Sequence, residues 1–125
     1  MNSTPKISVV MICYNHERYI GEAINSILSQ EYSDFELIIV DDGSSDNTPK
    51  IIQEFKDSRI IVVEQENSGP SIAINTGINK SRGQFIALMS GDDVSFPNRL
   101  ATQIGQIESL KADMIFCLPQ IIGPD

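Results

Sequence analysis

Apolar residues in this chain come either in short continuous runs or at intervals of three and four. The runs are Ile7–Cys13, Phe35–Val40, Ile60–Val63, Phe85–Met89 and Met114–Leu118. Runs of this kind suit strands covered on both faces of a parallel sheet. Between the first two, Ile20, Ala23, Ile24, Ile27 and Leu28 form one stripe of a helix. Asn15 is placed to cap that helix, and Glu17 falls where the first turn favours an acid. Thr48-Pro49 opens a second helix whose apolar face is Ile51, Ile52 and Phe55. A third helix, rich in small residues, runs from Ser71 towards Arg82, with Gly83 placed to end it. Pro97 opens a fourth, with Leu100, Ile104 and Ile107 on one side. Regular alternation of strand and helix predicts an α/β fold: three layers, α/β/α, around a mostly parallel sheet. The domain is expected over residues 5–118, followed by a tail, 119–125, without usable period.

Polar clusters punctuate this pattern at one kind of place, the carboxyl ends of strands. Tyr14-Asn15-His16 follows the first, Asp41-Asp42-Gly43-Ser44-Ser45-Asp46 the second and Glu64–Asn67 the third. Ser90-Gly91-Asp92-Asp93 follows the fourth. In an open parallel sheet the loops diverge along that edge and leave a crevice for a ligand. Asp92 and Asp93 together can hold a hard divalent cation whose shell phosphate oxygens complete; alone, such a pair reads equally as a helix-capping turn. His16 is the only histidine, which excludes a multi-histidine metal site; by itself it reads as a solvated residue at a helix start.

Composition narrows the ligand. With 125 residues, 41% apolar and 21% charged, the chain is ordinary globular material of single-domain size. No apolar run approaches the roughly 20 residues a membrane-spanning helix needs, and no signal core opens the sequence. A cytoplasmic location is therefore expected. A net charge of -8 disfavours nucleic-acid backbones, and a small anionic ligand needs a metal or a helix amino terminus. Cys13 and Cys117, both within apolar segments, are expected as buried, reduced thiols. There is no Gly-x-Gly-x-x-Gly after the first strand, and Gly77 to Gln84 has the wrong spacing for a P-loop. A nucleotide must be held otherwise. An aromatic at the first strand's end can stack on a base, an Asp can accept a base imide N–H, and a metal on Asp92-Asp93 can neutralise a diphosphate.

Four motifs in order then carry a resemblance. They are Tyr14-Asn15; Val40-Asp41-Asp42-Gly43-Ser44-Ser45-Asp46; Asn67-Ser68-Gly69-Pro70-Ser71 with Asn75; and Gly83–Leu88 leading to Gly91-Asp92-Asp93. Together they resemble the nucleotide-sugar half of family 2 glycosyltransferases of the GT-A fold. The resemblance implies that Tyr14 and Asp42 contact the base, commonly uracil, with Asn15, Asn67 and Gly69 also at the nucleotide. It implies that Asp92 meets ribose and diphosphate, and that Asp92 and Asp93 bind Mn²⁺ or Mg²⁺. The implied reaction is inverting, metal-dependent transfer from a UDP-sugar to a saccharide or lipid-linked acceptor, as in cell-envelope polysaccharide synthesis. Two positions depart from the pattern: Ser90 stands where many members carry the first Asp of the motif, and Ile74 where many carry Arg. Members continue with an acceptor half bearing the catalytic carboxylate, so no catalytic base is expected in this chain, which reads as the amino-terminal part of a longer enzyme. A non-catalytic nucleotide-binding module is the alternative. A receiver-type signalling domain fits less well, because its carboxylates would follow the first and third strands. Self-association through an uncovered sheet edge is expected of the chain alone.

Overall fold

The computed structural model describes residues 3–123. Four strands form one parallel sheet: β1 Ile7–Cys13, β2 Phe35–Asp41, β3 Ile60–Glu64 and β4 Phe85–Ser90, in the order β3-β2-β1-β4. Helices α1 Ile20–Leu28, α2 Thr48–Gln53, α3 Pro70–Lys80 and α4 Arg99–Ser109 connect and cover it. The central strands are apolar on both sides because both faces are covered. Ile7, Val9, Met11 and Cys13 of β1, with Phe35, Leu37 and Ile39 of β2, meet Ile24 and Ile27 of α1, Ile52 of α2 and Leu100 of α4. On the opposite face Ile38 and Val40 meet Ala73 of α3. The result is the three-layer α/β/α arrangement the pattern predicts.

The small residues of α3 serve contact with the sheet. A Cβ at Gly77 would run into Val10 and come within 3.3 Å of Val40. At the far end of the same helix, the buried Glu36 carboxylate accepts from the Ser8 hydroxyl at 2.7 Å and from the Arg82 backbone and guanidinium at 2.8 to 3.0 Å. This buried carboxylate, met by the half-exposed Arg82, ties the segment after α3 to β1 and β2.

Several expected elements differ. Met114–Leu118 is not a fifth strand: among the described residues it forms no ladder, and Phe116 is 84% and Leu118 98% exposed. An apolar run becomes a strand only where partners take its backbone groups and a layer covers its face. Here only Ala112 and Ile115 rest against the core. Cys117 is exposed for the same reason, while Cys13 is buried; both are free thiols. The tail shows no regular structure through residue 123, and its last two residues lie outside the described range. Asn15 does not cap α1, which starts at Ile20 after a turn in which the Tyr19 and Ile20 N–H groups donate to the His16 carbonyl. α4 likewise begins at Arg99 rather than at Pro97.

Candidate functional site

A cavity of about 460 Å³ opens at the carboxyl ends of β1, β2 and β4, beside the amino end of α3. Tyr14, His16, Asp42, Asn67, Gly69 and Ser90 stand on its wall. Because β2 and β3 lie to one side of β1 and β4 to the other, the crossing direction reverses there, which is where ligands settle in such sheets.

Asp42 is the most heavily bonded group of the site. Only 5% exposed, it accepts on Oδ1 from Gln65 Nε2 at 2.8 Å and the Ser68 N–H at 2.8 Å, and on Oδ2 from the Gly69 N–H at 3.0 Å. Burial opposes its ionisation, but the donated hydrogen bonds outweigh burial and hold the carboxyl below its ordinary range. Thr76 donates to Gln65 Oε1 at 2.7 Å, which fixes the Gln65 amide with its N–H₂ towards Asp42. Asp42 is thus an ionised, acceptor-only group with remaining capacity on Oδ2, where the nearest further donor, Asn67 Nδ2, stands at 3.5 Å.

Its neighbours organise loops. Asp41 Oδ1 accepts from the Ser44 N–H at 3.1 Å and hydroxyl at 2.6 Å. Asn15, at φ 54°, accepts on Oδ1 from the Ser45 N–H at 2.8 Å and donates its own N–H to Ser44 Oγ at 2.9 Å. Asp46 takes the N–H of Glu17 at 3.2 Å, and Glu17 takes that of Asn47 at 3.1 Å. The loops after β1 and β2 are therefore stitched together, and Asn15 sits in the stitching rather than on the cavity wall.

Tyr14 stands at the mouth, 46% exposed, with its ring free to meet a planar ligand. The turn after β4 closes through the Asp93 N–H on the Ser90 carbonyl at 3.1 Å, and Asp93 Oδ2 lies 3.4 Å from the Ser90 N–H. Asp92 is about half-exposed, with Oδ2 3.8 Å from His16 Nε2. Among the described residues no three metal-ligating side chains cluster, so there is no all-protein cage. The adjacent carboxylates suit a cation that takes most of its shell from water and ligand oxygens. Cys13 at the cavity floor is no nucleophile: burial above all, then Asp41, Asp46 and Asp42, pushes its thiol up to about 12.

Of the residues singled out in the sequence, Tyr14, Asp42, Asn67 and Gly69 line one cavity, and Asp92 and Asp93 lie on the turn that follows Ser90 at its wall. His16 joins them on the wall, while Gln65 and Thr76 stand behind Asp42. Nothing in the pattern marks Thr76, and Gln65 stands out only as part of the Glu64–Asn67 cluster; the two meet because α3 turns back over the β3 loop.

The sequence matches the description Glycosyl transferase family 2 over residues 8–125. It is 40% identical over 112 residues to EpsE of Bacillus subtilis, covering 86% of this chain and 40% of that protein. It is 38% identical over 112 residues to Glycosyltransferase GlyG of Streptococcus pneumoniae, covering 87% of this chain and 37% of that one. Among solved structures, S. aureus TarS 1-349 in complex with UDP-GlcNAc superposes with a TM-score of 0.78 at 30% identity, over 83% of this chain and 31% of that one. The mannosyltransferase PcManGT from Pyrobaculum calidifontis, in complex with GDP-Man and Mn²⁺, gives 0.77 at 25% identity, over 84% and 33%. The chain belongs to glycosyl transferase family 2 and has the GT-A fold. It spans about two-fifths of the length of the first curated relatives it matches, 40% and 38%.

Proposed function

We propose that this chain binds the donor of a glycosyltransferase: a nucleoside-diphosphate sugar, UDP-sugar foremost, together with Mn²⁺ or Mg²⁺. The observation that carries the reading is Asp42, held as an ionised acceptor on the wall of a cavity with Tyr14 at its mouth. Tyr14 stacks on the base, and Asp42 Oδ2 accepts the imide N–H of uracil. Asn67 and Gly69 shape the wall beside the base, and Asn15 serves the nucleotide indirectly by fixing the loop that carries Tyr14. Asp92 and Asp93 hold the cation, with Asp92 also within reach of the ribose. The bound metal supplies Lewis-acid stabilisation of the departing diphosphate. The UDP-GlcNAc of the TarS complex and the Mn²⁺ of the PcManGT complex support this choice of ligands.

Transfer with inversion needs an acceptor hydroxyl in line with the anomeric carbon and a base at its proton. No carboxylate of the described cavity is assigned that role, since Asp42 is given to the base and Asp92 and Asp93 to the cation. The acceptor, a saccharide or a lipid-linked sugar for envelope polysaccharide, belongs to the same proposal. The test is calorimetry with UDP, GDP and their sugars, in Mn²⁺ and in chelator. UDP should bind at least ten-fold tighter than GDP, and Asp92→Asn should abolish the gain from Mn²⁺. Equal affinity for both nucleotides, or the same affinity in chelator, contradicts the reading.

A further inference from the structure

His16 does more in the structure than a solvated residue at a helix start. Its side chain lies on the cavity wall, Nδ1 is buried with no hydrogen-bond partner among the described residues, and Nε2 is 3.8 Å from Asp92 Oδ2. The turn after β4 is built onto this ring. A Cβ at Gly91 would come within 3.0 Å of Nδ1, 2.8 Å of the Cys13 Cβ and 2.9 Å of Ile20 Cδ1, so only glycine lets the turn settle so close.

The orphaned nitrogen decides where the proton sits. A buried N–H without an acceptor is rarely tolerated, whereas an unmatched lone pair is tolerated more readily. Nδ1 therefore carries the lone pair and Nε2 the hydrogen, and Nε2 is the atom that faces Asp92. Asp92 in turn has no other side-chain partner among the described residues, unlike Asp93, which has the Ser90 N–H. A hydrogen bond between them requires this half-exposed carboxylate to close the 3.8 Å separation from Nε2.

We propose that His16 is a positioning residue for Asp92: its Nε2–H donates to Oδ2 and leaves Oδ1 free to serve a cation. This rests on the donor-and-metal reading above. Metal-binding carboxylates are commonly held in this way by an outer hydrogen bond, and its loss typically costs 10–100-fold in metal affinity.

The experiment measures Mn²⁺ affinity of the UDP complex, and separately UDP affinity in chelator, for the chain and its His16→Leu, His16→Asn and His16→Gln variants. Leucine fills the ring's volume without a donor. The asparagine amide reaches only the Nδ1 position, whereas glutamine places an N–H near Nε2. His16→Leu and His16→Asn should lose ten-fold or more in Mn²⁺ affinity while UDP affinity in chelator stays within two-fold, and His16→Gln should recover most of the loss. Mn²⁺ binding within two-fold of the parent in His16→Asn, or glutamine as weak as asparagine, overturns the positioning role while leaving the metal reading intact. A parent chain that gains nothing from Mn²⁺ overturns both. Because three variants differ in packing but only one restores the donor, a fold defect in His16→Leu leaves the comparison of asparagine with glutamine decisive.

Discussion

Asp42 illustrates how local bonding converts a common side chain into a specific reader. Three good donors converge on a nearly buried carboxylate, so its replacement by an amide must set an N–H₂ against at least one of them. Asp42→Asn should cost about 1–3 kcal/mol of stability, the usual result of stranding buried donors, and should erase the preference for uridine. Urea denaturation and nucleotide titration check the two effects separately. For Tyr14, stacking predicts that Tyr14→Phe is nearly silent and that Tyr14→Ala weakens UDP by about 1 kcal/mol; the reverse order would assign the contact to the hydroxyl. Asp42 and Glu36 both ionise below their ordinary values, despite burial, because of hydrogen bonds and, for Glu36, Arg82. The stability they contribute is complete above the unfolded carboxylate values of about 4 and is lost as pH falls through the lower folded values. The urea midpoint should therefore be flat from neutrality to about pH 5 and drop below pH 4, more gently in Asp42→Asn. At this scale the sequence showed which carboxylates stand at strand ends, since that follows from run and turn. It did not show that Asn15 adopts φ 54° to bridge two loops, or that Gln65 and Thr76 lie behind Asp42, because those contacts depend on loop paths.

Among the elements, β1 and β2 were legible because double-sided burial leaves continuous apolar runs, β4 because its run is as continuous although one face stays open, and α1 because its stripe must face the sheet. The same logic misled at Met114–Leu118, where the run is apolar but has neither ladder nor cover among the described residues. Helix starts shifted because the turn built on the His16 carbonyl comes before α1. Within α3, Gly77 is small because it lies against Val10 and Val40 of the sheet. Gly77→Ala should destabilise the fold by about 1–3 kcal/mol through overpacking against Val10, even though alanine favours helix by about 1 kcal/mol. A midpoint at or above that of the parent in urea would show that α3 lifts without cost.

For the molecule as a whole, α3 covers β1 and β2 but leaves the same face of β4 open, so Ile86 is 43% and Leu88 48% exposed. The outer edge of β4 is only partly blunted, by Arg99 Nη2 donating to the Leu88 carbonyl at 3.1 Å. Ile86 and Leu88 beside that edge are exposed apolar surface, as are Phe116 and Leu118, and such surface favours association. Sedimentation should show concentration-dependent self-association that Leu88→Lys reduces; a monomer at every concentration would count against it. The central claim concerns a different feature, the crevice at the strand ends. It is tested most directly by amide NMR spectra with a UDP-sugar and either Mg²⁺ or paramagnetic Mn²⁺. The account predicts Mg²⁺-complex shifts at Tyr14, Asp42, Ser68 and Gly69, and Mn²⁺ broadening centred on His16 and Gly91 to Asp93. Broadening scattered over surface acids such as Glu54 and Glu108, or shifts centred on the cavity at Arg59 and Arg82 at the amino ends of the strands, would contradict it.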